Sequence, residues 1–113
     1  SVVNLGKYKF FIKACRNDLL TEGIIRCLLE RFPDAARATD QHGHQPLHFA
    51  CRNPNVSFKI IRLLIDAAPD SVHSVNNFGS MPLHYLCRNK ALNDATATPI
   101  LKLLLEKHPA AVR

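Results

Sequence analysis

The apolar residues of this chain fall in runs separated by polar, proline- or glycine-bearing joints, and the runs recur. Ile60-Ile-Arg-Leu-Leu-Ile65 is answered by Ile100-Leu-Lys-Leu-Leu-Leu105, and Ile24-Ile-Arg26 stands 36 residues ahead of Ile60-Ile-Arg62. In the middle run only Lys59, Arg62 and Asp66 are polar. The helix it predicts is apolar over most of its circumference and so buried on several sides. Ahead of each run lies a shorter segment at the same spacing: Ala14-Cys-Arg-Asn17, Ala50-Cys-Arg-Asn53 and Leu86-Cys-Arg-Asn89. A fixed period of this size predicts one supersecondary unit stacked on copies of itself, because a single unit cannot bury its own apolar face.

The joints predict where helices start and stop. Pro46 and Pro82 suit a first helical turn, where an amide hydrogen would go unused. Asn53 and Asn89 stand where a C-terminal cap takes a left-handed residue, and Pro54 blocks any continuation. Thr21 and Ser57 are equivalent N-caps for the second helix, and Thr98-Pro99 supplies cap and first-turn proline together in the last copy. Second helices end near Pro33, Pro69 and Pro109. Gly43 and Gly79 supply the positive backbone angle of a turn between units. Two antiparallel helices and a turn, three times over, make an all-α solenoid.

The phrase Gly43-x-x-Pro46-Leu47-His48, followed by Ala50 and a second helix rich in Ile and Leu, returns as Gly79-x-x-Pro82-Leu83-His84. It resembles the ankyrin repeat. The resemblance covers 1–113 as a single ankyrin-repeat domain with units at about 1–39, 40–75 and 76–113. The period of 36 exceeds the family's usual 33 or so, and most of the excess is Arg52-Asn-Pro-Asn-Val56 between the helices. Gln45 and Met81 replace the Thr that normally precedes Pro-Leu-His. The first unit has Lys7-Tyr-Lys-Phe-Phe-Ile-Lys13 instead of that phrase, and the third carries four extra residues within 90–98. That insertion reads equally as a specificity loop or a tolerated expansion. The third unit keeps an interior-type apolar helix where a terminal unit should turn polar. The chain therefore reads as a segment of a longer array, with an end-to-end dimer through that repeat as the alternative.

At 113 residues and 47% hydrophobic content the chain suits one folded domain. No apolar run approaches a membrane span and no signal-peptide pattern opens it, so an intracellular location, cytoplasmic or nuclear, is expected. Cys15, Cys51 and Cys87 share one position in successive units, too far apart for disulfides at roughly 8–10 Å per layer. Cys27 aligns with Leu63 and Leu103 and reads as a small core residue. Four buried thiols in a reducing compartment are the expectation, with no C-x-x-C for zinc and no cofactor. The net charge of +6 divides as +3, 0 and +3 over the three units. Charge gathered at two ends argues against a nucleic-acid groove, which concentrates it along one face.

Three constellations are candidates for function. His42, His44 and His48 have the look of a metal cluster, but Phe78 and Ser80 replace the first two in the next unit. The resemblance makes His48 and His84 structural histidines that bond backbone between neighbouring turns. No catalytic spacing is visible, so the chain is not expected to be an enzyme. Arg16, Arg52 and Arg88 form a ladder at the ends of the first helices. Recurrence favours a structural role, neutralising helix ends or pairing with Asp18. With Lys7, Lys9 and Lys13 the ladder is the alternative site, for acidic or phosphorylated peptides or nucleic acid. The turn tips are the main candidate, because the resemblance implies a binding face there and on the exposed side of the first helices. Mapped onto this chain the face is Gln41, His42, His44, Gln45, Asn77, Phe78, Ser80 and Met81, with Phe49 and Tyr85 behind. Its ligand is expected to be a partner protein, bound without chemistry.

Overall fold

A computed structural model describes residues 6–107. Its helices are α1 (Lys9–Arg16), α2 (Glu22–Arg31), α3 (Pro46–Arg52), α4 (Phe58–Ala67), α5 (Pro82–Arg88) and α6 (Asp94–Lys107), and the described residues contain no strand. The local chemistry follows the sequence at most joints. Thr21 Oγ1 accepts from the Ile24 amide at 3.2 Å and Ser57 Oγ from the Ile60 amide at 3.3 Å, opening α2 and α4. Pro46 and Pro82 sit in the first turns of α3 and α5. Helices α2 and α4 stop just before Pro33 and Pro69, each of which begins a 3-10 turn, Pro33–Arg37 and Pro69–His73. The stop expected near Pro109 lies outside the described residues.

The helices stack in two rows. In the first, α3 lies between α1 and α5; in the second, α4 lies between α2 and α6. Leu20, Ile25, Leu47, Ile61, Leu64, Ile65, Ile100 and Leu104 fill the space between rows and are shielded from solvent. Each such side chain contributes about 1.5–3 kcal/mol by leaving water. Leu47, His48 and Cys51 of α3 are buried, whereas their counterparts Leu83, His84 and Cys87 in α5 are half-buried or exposed. The difference is coverage, since α5 lies over α3 and no described helix lies over α5.

Three sequence expectations are overturned. Asn53 and Asn89 are not left-handed: their φ values are −79° and −81°, and positive φ among the described residues occurs only at Gly6, Gly43 and Gly79. The chain leaves the helix extended because each Asn side chain turns back to the preceding layer. Asn53 Nδ2 donates to the carbonyls of Cys15 and Asn17, both at 2.9 Å. Secondly, α6 does not begin at Thr98-Pro99. Asn93 Oδ1 caps it, accepting from the Thr96 amide at 2.9 Å, so the extra residues of unit three lengthen the helix and Pro99 lies inside it. Asp94 and Ala95 are exposed there, so water can satisfy the carbonyl that the proline leaves free. Thirdly, only Cys15 and Cys51 are buried; Cys27 and Cys87 are exposed. Cys27 lies in the first helix of its row, and Cys87 lies on the uncovered face of α5. Burial raises the Cys15 thiol to about 12 and pushes Cys51 up as well, so both stay protonated.

Candidate functional site

Two turn tips project from the helices, and each is folded by one acidic or amide side chain. Asp40 Oδ1 accepts from the amides of His42 and His44 at 2.9 and 2.8 Å. One period later Asn76 Oδ1 accepts from Phe78 and Ser80 at 2.9 and 3.0 Å. Gly43 and Gly79 close the turns at φ 78° and 76°, their amides donating to the carbonyls of Asp40 and Asn76. The tips are tied to each other. The Asn77 amide donates to the His42 carbonyl at 2.8 Å, and a Cβ on Gly43 would come within 3.0 Å of Asn77 Oδ1.

The histidines hold this frame from beneath. His48 Nδ1 accepts from the Gln45 amide at 2.9 Å, so the ring proton sits on Nε2. That nitrogen donates to the carbonyls of Ser74 and Ser80, each at 3.1 Å, joining one tip to the next. Burial lowers the His48 pKa from its ordinary value, against the opposing pull of those carbonyls. His44 lies between Asp40 Oδ2 at 3.2 Å and the Tyr85 hydroxyl at 3.2 Å, which itself accepts from Asn76 Nδ2 at 2.9 Å. His42, His44 and His48 therefore face different partners and do not converge on a common centre. Among the described residues no group of three or more His, Cys, Asp or Glu side chains is placed to hold a metal ion.

Beside the tips runs a row in which arginines and rings alternate. The Arg16 guanidinium carbon lies 5.1 Å from the Phe49 ring centre. Arg52 lies 5.9 Å from Phe49 and 5.2 Å from Tyr85, and Arg88 5.7 Å from Tyr85. Asp18, the expected arginine partner, accepts instead from Asn55 Nδ2 at 3.3 Å. The ion pairs Glu22–Arg26 and Asp66–Arg62 and the contact of Asp40 with the His44 ring all lie off the row. A cavity of about 560 Å³ opens between α1 and the first tip, with Lys9, Lys13, Arg16, Phe49 and Arg52 on its wall. Lys7 is not on that wall; its Nζ lies over the Tyr8 ring at 5.3 Å.

A family model described as ankyrin repeats in three copies matches residues 11–112. The chain belongs to the ankyrin repeat family. A search of curated proteins returned no match. Ankyrin repeats generally mediate protein–protein interaction, and members of the family are typically non-catalytic scaffolds. No described helix of this ankyrin protein is long and apolar enough to cross a membrane.

The candidate residues of this ankyrin array divide by exposure. Gln41, His42, Asn77 and Phe78 are exposed, Gln45 and Met81 half-buried. His44 and Ser80 are buried, contrary to their expected place on the outer face: His44 is enclosed by Asp40, Phe49 and Tyr85, and Ser80 lies where His48 binds its carbonyl. Phe49 and Tyr85 are buried behind the tips, under the arginines. Phe78 is both supported and open, its ring 5.5 and 5.7 Å from those of His42 and His44 while 66% exposed. The aromatic half of the arginine row escaped the sequence reading. Its signal was present, because Phe49 and Tyr85 each precede an arginine by three residues, which puts ring and guanidinium on one helix face.

Proposed function

We propose that this ankyrin array, with units at about 1–39, 40–75 and 76–113, is a non-catalytic scaffold that binds a partner protein through its turn tips. The observation that carries this reading is Phe78, a large apolar side chain held open to solvent on a turn fixed by Asn76 and Gly79. Exposed aromatics on rigid supports are what anchor interfaces. The bonds from Asn77 and His48 order the tips before any partner arrives, which keeps the entropic cost of association low. Gln41, His42, Asn77 and the outer part of Met81 complete the contact surface. Four free cysteines, two of them exposed, fit a reducing compartment and so an intracellular partner.

Affinity capture from nuclease-treated extract tests this, comparing the native chain with Phe78→Asp after circular dichroism has established equal folding. A partner held by the first and lost by the second supports the tips. The same proteins on both would remove the tips from consideration.

The open face of α5 favours a second contact, end-to-end association of two copies. His84 and Cys87 lie exposed and Leu83 half-buried where α3 buries the same positions, and His84 Nδ1 already takes the Met81 amide at 2.8 Å, as His48 does with Gln45. Concentration-dependent sedimentation, abolished by Leu83→Lys, is the expected result.

A further inference from the structure

The arginine row has features that the tips do not explain. Three guanidiniums lie along one line without a carboxylate partner among the described residues, and each is exposed. Each guanidinium carbon lies 5.1–5.9 Å from the centre of a Phe49 or Tyr85 ring while its residue stays exposed, and a guanidinium set face-on against a ring keeps its N–H edges free to donate. A stacked guanidinium is also held in place, so little side-chain entropy remains to be lost when it donates a forked pair of hydrogen bonds.

The walls around the row have the same character. Lys9 and Lys13 extend it beyond Arg16. Asp40 is the one acidic residue lining the larger cavity, and its carboxylate is already taken by the amides of His42 and His44 and by the His44 ring. A second cavity, about 320 Å³, continues the line past Arg52 and is walled by Tyr85, Arg88 and Asn89, with no acidic residue. The surface is a positive groove with unspent donors.

We infer that this groove binds an acidic, extended segment of the partner protein, its carboxylates held by Arg16, Arg52 and Arg88. The inference rests on the protein-binding reading above and adds the chemistry of the ligand. Successive helix layers lie roughly 8–10 Å apart. A polyproline-type strand turns once in three residues and advances about 9.3 Å in doing so, which presents every third side chain to successive arginines. A fully extended β-strand repeats its face every two residues, about 6.6–6.8 Å, and falls out of step. Single-stranded nucleic acid is the poorer fit. It binds by stacking bases on open rings, and Phe49 and Tyr85 are 6% and 9% exposed beneath their arginines.

The test is fluorescence anisotropy of the whole chain with short blocked peptides of Glu, Ala and Pro. One carries Glu at every third position, one has the same composition with Glu at every second, and one replaces Glu by Gln. The every-third peptide should bind most tightly, the Gln peptide should not bind, and affinity should fall as salt rises from about 50 to about 200 mM. Arg52→Gln should weaken binding roughly tenfold or more, and Arg52→Lys, which keeps the charge but loses the fork, should not restore it. Lys102→Gln, an exposed charge on α6, is the control for net charge and should change little. Equal thermal melts of the variants separate binding from folding. Binding of the Gln peptide, equal loss in the Lys102 variant, indifference to Glu spacing or tighter binding of an oligothymidine would each overturn the inference. The Phe78→Asp capture reads the tips independently. A partner caught there with no peptide bound would sink the acidic ligand alone, while a partner indifferent to Phe78 would sink the tip reading alone.

Discussion

Asn53 reaches back across a full repeat to Asn17, its Nδ2 2.9 Å from that residue's carbonyl. The same nitrogen also meets the Cys15 carbonyl, while Asn53 Oδ1 takes the Asn55 amide at 2.9 Å. Asn89 repeats the arrangement on Cys51 and Asn53 at 2.9 and 3.1 Å. Asn53→Ala is therefore expected to destabilise the chain by about 1–3 kcal/mol, since it takes the donor from the buried Cys15 carbonyl and from the part-buried Asn17 carbonyl. Asn53→Asp should be at least as harmful, because it sets carboxylate oxygen against two carbonyls. Asn17→Ala removes one local bond, to the Leu19 amide, and should cost only about 1 kcal/mol. Urea midpoints for the three variants decide the order.

His48 makes stability depend on pH in a fixed direction. Its folded-state pKa lies below the ordinary 6.5 because burial disfavours the charged ring. The unfolded chain thus binds the proton first, so stability is full above 6.5 and is lost as pH falls below it, down to the folded value. Protonation would also put a hydrogen on Nδ1, which must accept from the Gln45 amide. His48→Gln should lower stability at neutral pH and flatten the acid side of the profile. Urea unfolding on both sides of 6.5 measures it, and an unchanged slope would assign the acid sensitivity elsewhere.

Much of this architecture was legible because its causes are local. Thr21, Ser57, Gly43 and Gly79 act on residues two to four positions away, and a sequence displays such neighbours directly. Asn53 was misread for the opposite reason. At a helix end its local option is a cap, whereas its partners lie a whole period upstream, where only stacking brings them near. Pro99 and Cys27 failed similarly. A first-turn proline and an interior one look alike until Asn93 is seen to open the helix earlier, and alignment of Cys27 with Leu63 said nothing of which helix covers it. At the candidate site, the two turns were legible from Gly43 and Gly79, but which turn residues stay outside was not, because His44 turns inward to meet a tyrosine 41 residues away.

Gln45 stands at the N-cap of α3, where Thr, Ser, Asn or Asp usually serves, and its Oε1 is buried without a hydrogen-bond partner. Gln45→Thr should raise stability by about 1 kcal/mol, by removing the unsatisfied acceptor and adding a hydroxyl within reach of the helix amides. A rise in melting temperature with unchanged circular dichroism is the expected record; no rise would mean that the glutamine is satisfied in solution.

Asn93 sets the start of α6. With Pro99 interrupting the helix ladder one turn later, residues 94–98 depend on that cap more than an ordinary first turn does. Asn93→Ala should cost about 1 kcal/mol, and amide exchange should accelerate at Thr96 and Ala97 before Leu103 or Leu104. Uniform acceleration along α6 would mean that the turn has no separate stability.

The two cross-repeat hooks point in opposite directions along the chain: Asn53 grips the unit before it and His48 the unit after. Excise one period, residues 40–75, and Asn89 would face the carbonyls of Cys15 and Asn17 that Asn53 grips now. The rejoined junction would regain the asparagine bonds that the first junction already has. Such a molecule can gain or lose members by duplication and deletion without inventing a new contact. Its length is then free to follow the size of whatever it holds, and copy number becomes the easiest thing about it for evolution to change.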